Sequence, residues 1–230
     1  MIKDILIEIC CGSYEDCRTA HNNHVDRIEL NSALELGGLT PSVATLRMTK
    51  ELTDIPLCCM IRPRPSGFCY SEELYQIMLA DARILLENKA DGIVFGYLLS
   101  DNTIDVNRTK ETTELIHSYG KEAIFHKAFD LCPDFDQASQ ILIDCGVDRV
   151  LTSCGPDIIS GLPKLKELIE RYGDKLAYLP GGGVTADNIR HILDASGSRQ
   201  IHMTAKQSYD DNGAYVAVDD ATLKKFLSKI

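Results

Sequence analysis

No apolar run in this 230-residue chain approaches the ~18 residues that a membrane-spanning helix needs, which argues against a helical membrane protein. Stretches rich in proline, glycine or serine are also missing, as are blocks of like charge. Without such linkers, and without low-complexity segments, the chain reads as one ordered domain large enough to bury a substantial core. Basic residues are in the minority: Lys and Arg number 24 against 34 Asp and Glu, for a net charge of −10. That balance disfavours nucleic acid and anionic membrane surfaces as partners. The opening MIKDILIEICC lacks a small-residue cleavage site and reads as a first strand, not a signal peptide. Nine cysteines are present, but none in CxxC spacing, and there is no MxxM. Their odd count and scatter fit reduced thiols in a cytoplasmic protein, most of them small buried hydrophobes.

What is present is a rhythm. Short apolar runs recur as ILIEICC (5–11), DRIEL (26–30), LCCMIRPR (57–64), GIVFGYL (92–98), AIFHKAFD (123–130), DRVLTS (148–153), AYLPGGG (177–183) and IHMTA (201–205). Segments of helical periodicity lie between them, the clearest being SEELYQIMLADARILLENK (71–89) with Ser71 as its N-cap. Asp134 and Gln137 read as a capping box opening the fifth helix, and LPKLKELIERYG (162–173) as the sixth. Successive strands start roughly 20 to 35 residues apart, as βα units require. Eight such units fill the chain, which predicts a single-domain α/β fold, the (β/α)8 TIM barrel. An open doubly wound sheet would place its glycine-rich loop after the first strand. Here the glycines follow the seventh run.

Barrel sites lie at the C-terminal ends of the strands, and side-chain alternation decides what points inward. Glu8 and Cys10 share one parity, as do Arg27 and Glu29, then Met60, Arg62 and Arg64, then His126 and Asp130, then His202 and Thr204. This gathers Glu8, Glu29, Arg62, Arg64, His126, Asp130 and His202 at one mouth as candidate catalytic groups. An internal ion-pair network is the competing reading, although purely structural barrel interiors are dominated by Val, Ile and Leu. Gly181, Gly182 and Gly183, with Thr204 and Ala205, stand where barrels often bind phosphate, at the loops after strands seven and eight. A tight turn that binds nothing would also need those glycines. Cys10-Cys11 and Cys58-Cys59 bring thiols suited to Cu(I), but neighbours on an extended strand point to opposite faces. Lys127 opposes the parity of His126 and Asp130, which argues against a Schiff-base role.

In order, DRIEL…GGLTPS (26–42), MIRPR…FCYS (60–71), FHKAFD (125–130), RVLTS (149–153), PGGGV (180–184) and IHMTA (201–205) closely resemble the CutC family, associated with copper homeostasis. The resemblance spans Glu8 to about Ala205. It implies a (β/α)8 barrel, a cytoplasmic location, homo-oligomers and Cu(I) binding or handling, with Cys10 and Cys11 carried over as metal ligands. The chain departs from the family pattern at Asn31, where many relatives carry cysteine, at Pro65-Ser66-Gly67 after Arg-Pro-Arg, at Lys127 in place of arginine, and in a short stretch from Gln207 to Val218. Two functions follow as expectations. One is a copper-binding protein. The other is an enzyme acting on a small phosphorylated or otherwise anionic metabolite, with phosphate on the glycine loop and Arg62 and Arg64 on a second anionic group. An oligomeric scaffold without a ligand stands behind both.

Overall fold

Each apolar run becomes a strand, and each periodic segment a helix, in the computed structural model, which describes residues 5–230. The strands are β1 (Leu6–Cys11), β2 (Arg27–Leu30), β3 (Leu57–Met60), β4 (Gly92–Phe95), β5 (Glu122–Phe125), β6 (Arg149–Thr152), β7 (Ala177–Pro180) and β8 (Gln200–Met203). The helices α1 (Tyr14–Asn22), α2 (Val43–Leu52), α3 (Glu72–Glu87), α4 (Val106–Ser118), α5 (Phe135–Asp144), α6 (Ile158–Tyr172) and α7 (Ile189–Ser196) follow them in turn, and α8 (Asp220–Leu227) closes the chain. Polar side chains set most helix starts. Ser13, Ser42, Ser71, Asp105, Asp134, Asp157 and Asp219 each accept a backbone N–H from the first turn of the helix they precede.

All pairings within the large sheet are parallel, in the order β7-β6-β5-β4-β3-β2-β1-β8. Because β8 pairs with β1, the sheet wraps round into a nearly closed barrel. At the β7/β8 seam a side chain bridges the strands: Gln200 Nε2 donates to the Tyr178 carbonyl at 3.2 Å. The expected (β/α)8 barrel is therefore the fold. Among the described residues no helix is long and apolar enough to cross a membrane.

Alternation sorts the strand residues into two environments. Ile9, Cys11, Ile28, Leu30, Phe95 and Phe125 pack into the apolar layer under the helices. Cys58, Met60, Val94 and Ile124 form a small apolar cluster of their own inside the barrel. Charged groups occupy much of the remaining interior. Cys11 thus lies on the opposite face from Cys10, and the two cannot share an ion. The pairing of Cys10 with Cys11 as ligands is corrected accordingly.

Two elements differ from the sequence reading. Helix α6 starts at Ile158, not Leu162, because Asp157 caps it by accepting from Ile159 N and Ser160 N at 2.9 and 3.0 Å; Pro163 lies inside the helix and does not open it. Between β8 and α8 a hairpin appears, β9 (Lys206–Asp210) against β10 (Ala214–Val218). Asp16 anchors it: Oδ1 accepts from Val218 N at 2.7 Å, while Oδ2 accepts from Gly12 N at 2.8 Å.

Gly161 shows how tightly α6 rests on the end of β6, since a Cβ there would lie 1.8 Å from the Ser153 carbonyl oxygen. In an unhindered helix, glycine to alanine stabilises by roughly 0.5–1 kcal/mol. Here the close approach reverses the sign, and Gly161→Ala should destabilise by about 1–3 kcal/mol in urea unfolding. A neutral or stabilising result would contradict this packing.

Candidate functional site

At the centre of the barrel the Glu8 carboxylate meets three basic groups. Arg27 Nε donates to Oε2, Arg149 Nη1 lies 3.5 Å from the same oxygen, and His202 Nδ1 is 2.8 Å from Oε1. Register explains the meeting, for Glu8 stands beside Arg27 on β2 and beside His202 on β8. Burial alone would raise the Glu8 pKa, but the hydrogen bond from His202 and the charge of Arg27 outweigh it and hold the carboxyl below its ordinary value. The same partnership acts on His202. Burial disfavours its charge, yet Glu29 and Glu8 carry its pKa above the usual histidine value. Since a carboxylate only accepts, Nδ1 of His202 carries a proton, and Nε2 is the atom left for other work.

Nε2 of His202 lies 3.9 Å from Glu29 Oε2. Cys10 completes a cluster in which one ligand atom from each of Cys10, Glu29 and His202 lies within 4.8 Å of the others. Asn31, just past β2, spans it: Nδ2 donates to Glu29 Oε2 at 2.9 Å and to Cys10 Sγ at 3.4 Å. Burial pushes the Cys10 thiol well up, and the Glu29 carboxylate adds to the shift, so the free thiol is protonated. The cluster opens into a cavity of about 420 Å³ at the C-terminal mouth, whose wall also carries Met60 and Met203.

Residues just past β3 and β5 form another part of the wall. Arg62 Nη1 donates to the carbonyls of Gly37 and Gly38 at 2.9 and 3.2 Å, and its guanidinium lies 5.2 Å over the Phe68 ring. His126 packs beside Phe68, with ring centroids 4.7 Å apart. Its Nδ1 accepts from Ala128 N at 3.1 Å. A backbone amide can only donate, so the proton of the neutral ring sits on Nε2, which is buried and has no hydrogen-bond partner. Burial, then the Arg62 charge, pushes the His126 pKa down to about 3. His126 is therefore held neutral at the cavity wall, with Nε2–H as its donor.

Of the anticipated site residues, Cys10, Glu29, Arg62, His126, His202, Gly182, Gly183 and Thr204 line the cavity. Others do not. Glu8 is buried outside the cavity lining and hydrogen-bonds His202. Arg64 turns away, bonding the carbonyls of Ser66 and Cys69 (2.9 Å to the latter) and stacking over Tyr70. Asp130 is saturated: Lys127 Nζ and Thr152 Oγ1 donate to it, with Ser153 N and Cys154 N both at 3.0 Å, so it fastens the loops after β5 and β6. The chain enters a 3-10 turn at Lys127, and parity ends there. The same turn brings Lys127 to the cavity wall at the barrel mouth. Gly181 is needed for packing, since a Cβ would lie 2.6 Å from Leu151 Cδ1 and 3.2 Å from His202 Cβ. Ala205 is buried at the strand end outside the cavity. Sequence reasoning missed Arg149, which opens an apolar-looking strand, as well as the cavity residues Phe68 and Lys206. It noted Asn31 only as a departure from the family pattern.

Residues 5–207 match the CutC family. A CutC family protein from Treponema denticola is 42% identical over 205 residues, covering 89% of this chain and 82% of its own. The human copper homeostasis protein cutC homolog is 38% identical over 206 residues, covering 89% and 75%. Among solved structures, CutC from Streptococcus agalactiae superposes with a TM-score of 0.81 at 30% identity, over 86% of this chain and 97% of that one.

The neutral His126 leaves a signature in acid. The unfolded chain protonates this histidine near 6.5, whereas the folded protein resists until about 3. Between those values the unfolded state binds more protons, so stability is lost as pH falls below about 6.5. His126→Asn removes that contribution. Its stability relative to the wild type should therefore improve by up to about 1.4 kcal/mol per pH unit on going from pH 7 toward pH 5, read by urea unfolding. A pH-independent difference would contradict a buried, neutral His126.

Proposed function

The chain belongs to the CutC family of copper homeostasis proteins, and we propose that within that role it binds one Cu(I) ion at Cys10 and His202. The observation that carries this reading is the convergence of Cys10, Glu29 and His202, with His202 oriented by a hydrogen bond from Nδ1 to Glu8. A carboxylate behind a ligating histidine fixes the ring and raises its basicity, a recurrent support at metal sites. The donor set suits a soft monovalent cation: a thiol that becomes thiolate on binding, an imidazole nitrogen, and the Met60 thioether on the same wall. Glu29 is a harder donor, and its role is to balance charge and hold Asn31.

Asn31 fits this account. Its amide reaches both Cys10 Sγ and Glu29, so position 31 faces the ion's site, and a cysteine there would add a second thiolate. Loading the site also displaces protons, because the free Cys10 thiol is protonated and Glu29 and Glu8 favour the imidazolium form of His202.

Anaerobic titration of the reduced protein with Cu(I) against a competing chelator tests the reading. One equivalent should bind in the wild type and be lost in Cys10→Ser, while Cys11→Ser, altered on the opposite face of β1, should match the wild type. Glu8→Gln should weaken binding by about 10- to 100-fold, and Asn31→Cys should tighten it. Equal affinities for Cys10→Ser and the wild type would overturn the assignment.

A further inference from the structure

Arg62 has the environment of a cation awaiting a counter-ion. Only 8% of it is exposed, and among the described residues no carboxylate lies within 4 Å of its guanidinium. Its partners are two backbone carbonyls, the face of Phe68 and the neighbouring Tyr70 hydroxyl, and its buried Nε has no hydrogen bond of good geometry. A buried charge so incompletely compensated is costly to keep. Beside it stands His126, 4% exposed, whose Nε2–H is likewise buried and unpaired. Both side chains line the same cavity.

We propose that the cavity takes a second ligand, a small organic molecule bearing an oxyanion, held by the Arg62 guanidinium and the Nε2–H of His126 on the wall built by the loops after β3 and β5. The wall uses none of the residues assigned to Cu(I), so this inference goes beyond the copper reading and does not rest on it.

Chemistry and size agree. The guanidinium supplies charge, and the imidazole supplies a directional neutral donor that does not compete for a metal. Phe68, in contact with both, offers an apolar face to the carbon part of the ligand. Lys206 and Lys127, the latter paired with Asp130, also line the cavity, and Glu29 is the one carboxylate among the described residues of its wall, so the lining carries more basic than acidic side chains in a chain of net charge −10. At about 420 Å³ the space is far larger than an ion needs and falls in the range of small-metabolite sites. Phosphate monoesters and carboxylates share the required oxyanion chemistry.

Calorimetry on the metal-free protein separates these sources, using inorganic phosphate, glycerol phosphate and malonate as probes. At least one should bind and raise the melting temperature. Arg62→Met and His126→Asn should each weaken that binding by about tenfold or more, while Cys10→Ser should leave it unchanged. Binding of glycerol phosphate over malonate assigns a phosphate ester, and the reverse order a carboxylate. If none of the three binds at millimolar concentration, or if binding survives both Arg62→Met and His126→Asn, the proposal is overturned. Because Cys10→Ser separates the two sites, failure here leaves the copper reading standing, and failure of copper binding leaves this one.

Discussion

The interior of this barrel is organised by one carboxylate. Glu8 takes Arg27 on one side, His202 on the other and Arg149 from across the barrel, and each of these buried groups draws part of its charge compensation from it. Arg149 illustrates the dependence. It is 1% exposed, lies 3.0 Å from Glu122 and leans on Glu8 for the rest of its compensation. A barrel filled by branched aliphatics has no such dependence. This one accepts the desolvation of several ions, and the outcome is a fixed tautomer at His202. The hydrogen bond from Nδ1 to Glu8 commits that proton, so Nε2 is presented toward Cys10 and Glu29.

Above Glu8 the mouth divides by strand. Residues from β1, β2 and β8 bring a thiol, an imidazole and a carboxylate together, a set suited to a cation. Residues after β3 and β5 bring a guanidinium and a neutral imidazole donor, a set suited to an anion. The two histidines are set oppositely by their neighbours. Carboxylates beside His202 favour its charge, while burial and Arg62 keep His126 neutral. Under the two proposals, this cavity would hold a metal ion and an organic anion side by side. Membership of a copper homeostasis family and a metabolite-sized, cationic mouth are therefore compatible.

Much of this was legible in the sequence because a strand's alternation is strict. The eight runs became the eight barrel strands, and parity within them correctly set Glu8, Cys10, Glu29 and His202 inward. Alternation even carried past the ends of β3 and β5 to Arg62 and His126, where the ladder continues through Ile61 N to Val94 O and His126 N to Phe95 O, at 2.9 and 2.8 Å. Beyond those bonds the chain turns and parity has no meaning. Arg64 folds back onto its own loop, Asp130 becomes a fastener between loops, and Lys127 comes to the cavity wall. Arg149 was hidden for a different reason. A single charge at the start of an apolar run looks like a strand boundary, and only the three-dimensional register places it near Glu8. The hairpin of β9 and β10 was equally invisible, since its first strand is exposed throughout and shows no inward face.

The central claim is that Glu8 holds His202 so that its Nε2 and the Cys10 sulfur share one ion. Copper K-edge X-ray absorption on the protein loaded with one equivalent of Cu(I) tests it most directly. The account predicts a coordination shell that contains both sulfur and imidazole nitrogen scattering, with the imidazole signal lost in His202→Phe. A shell of sulfur alone, or one without sulfur, would contradict it.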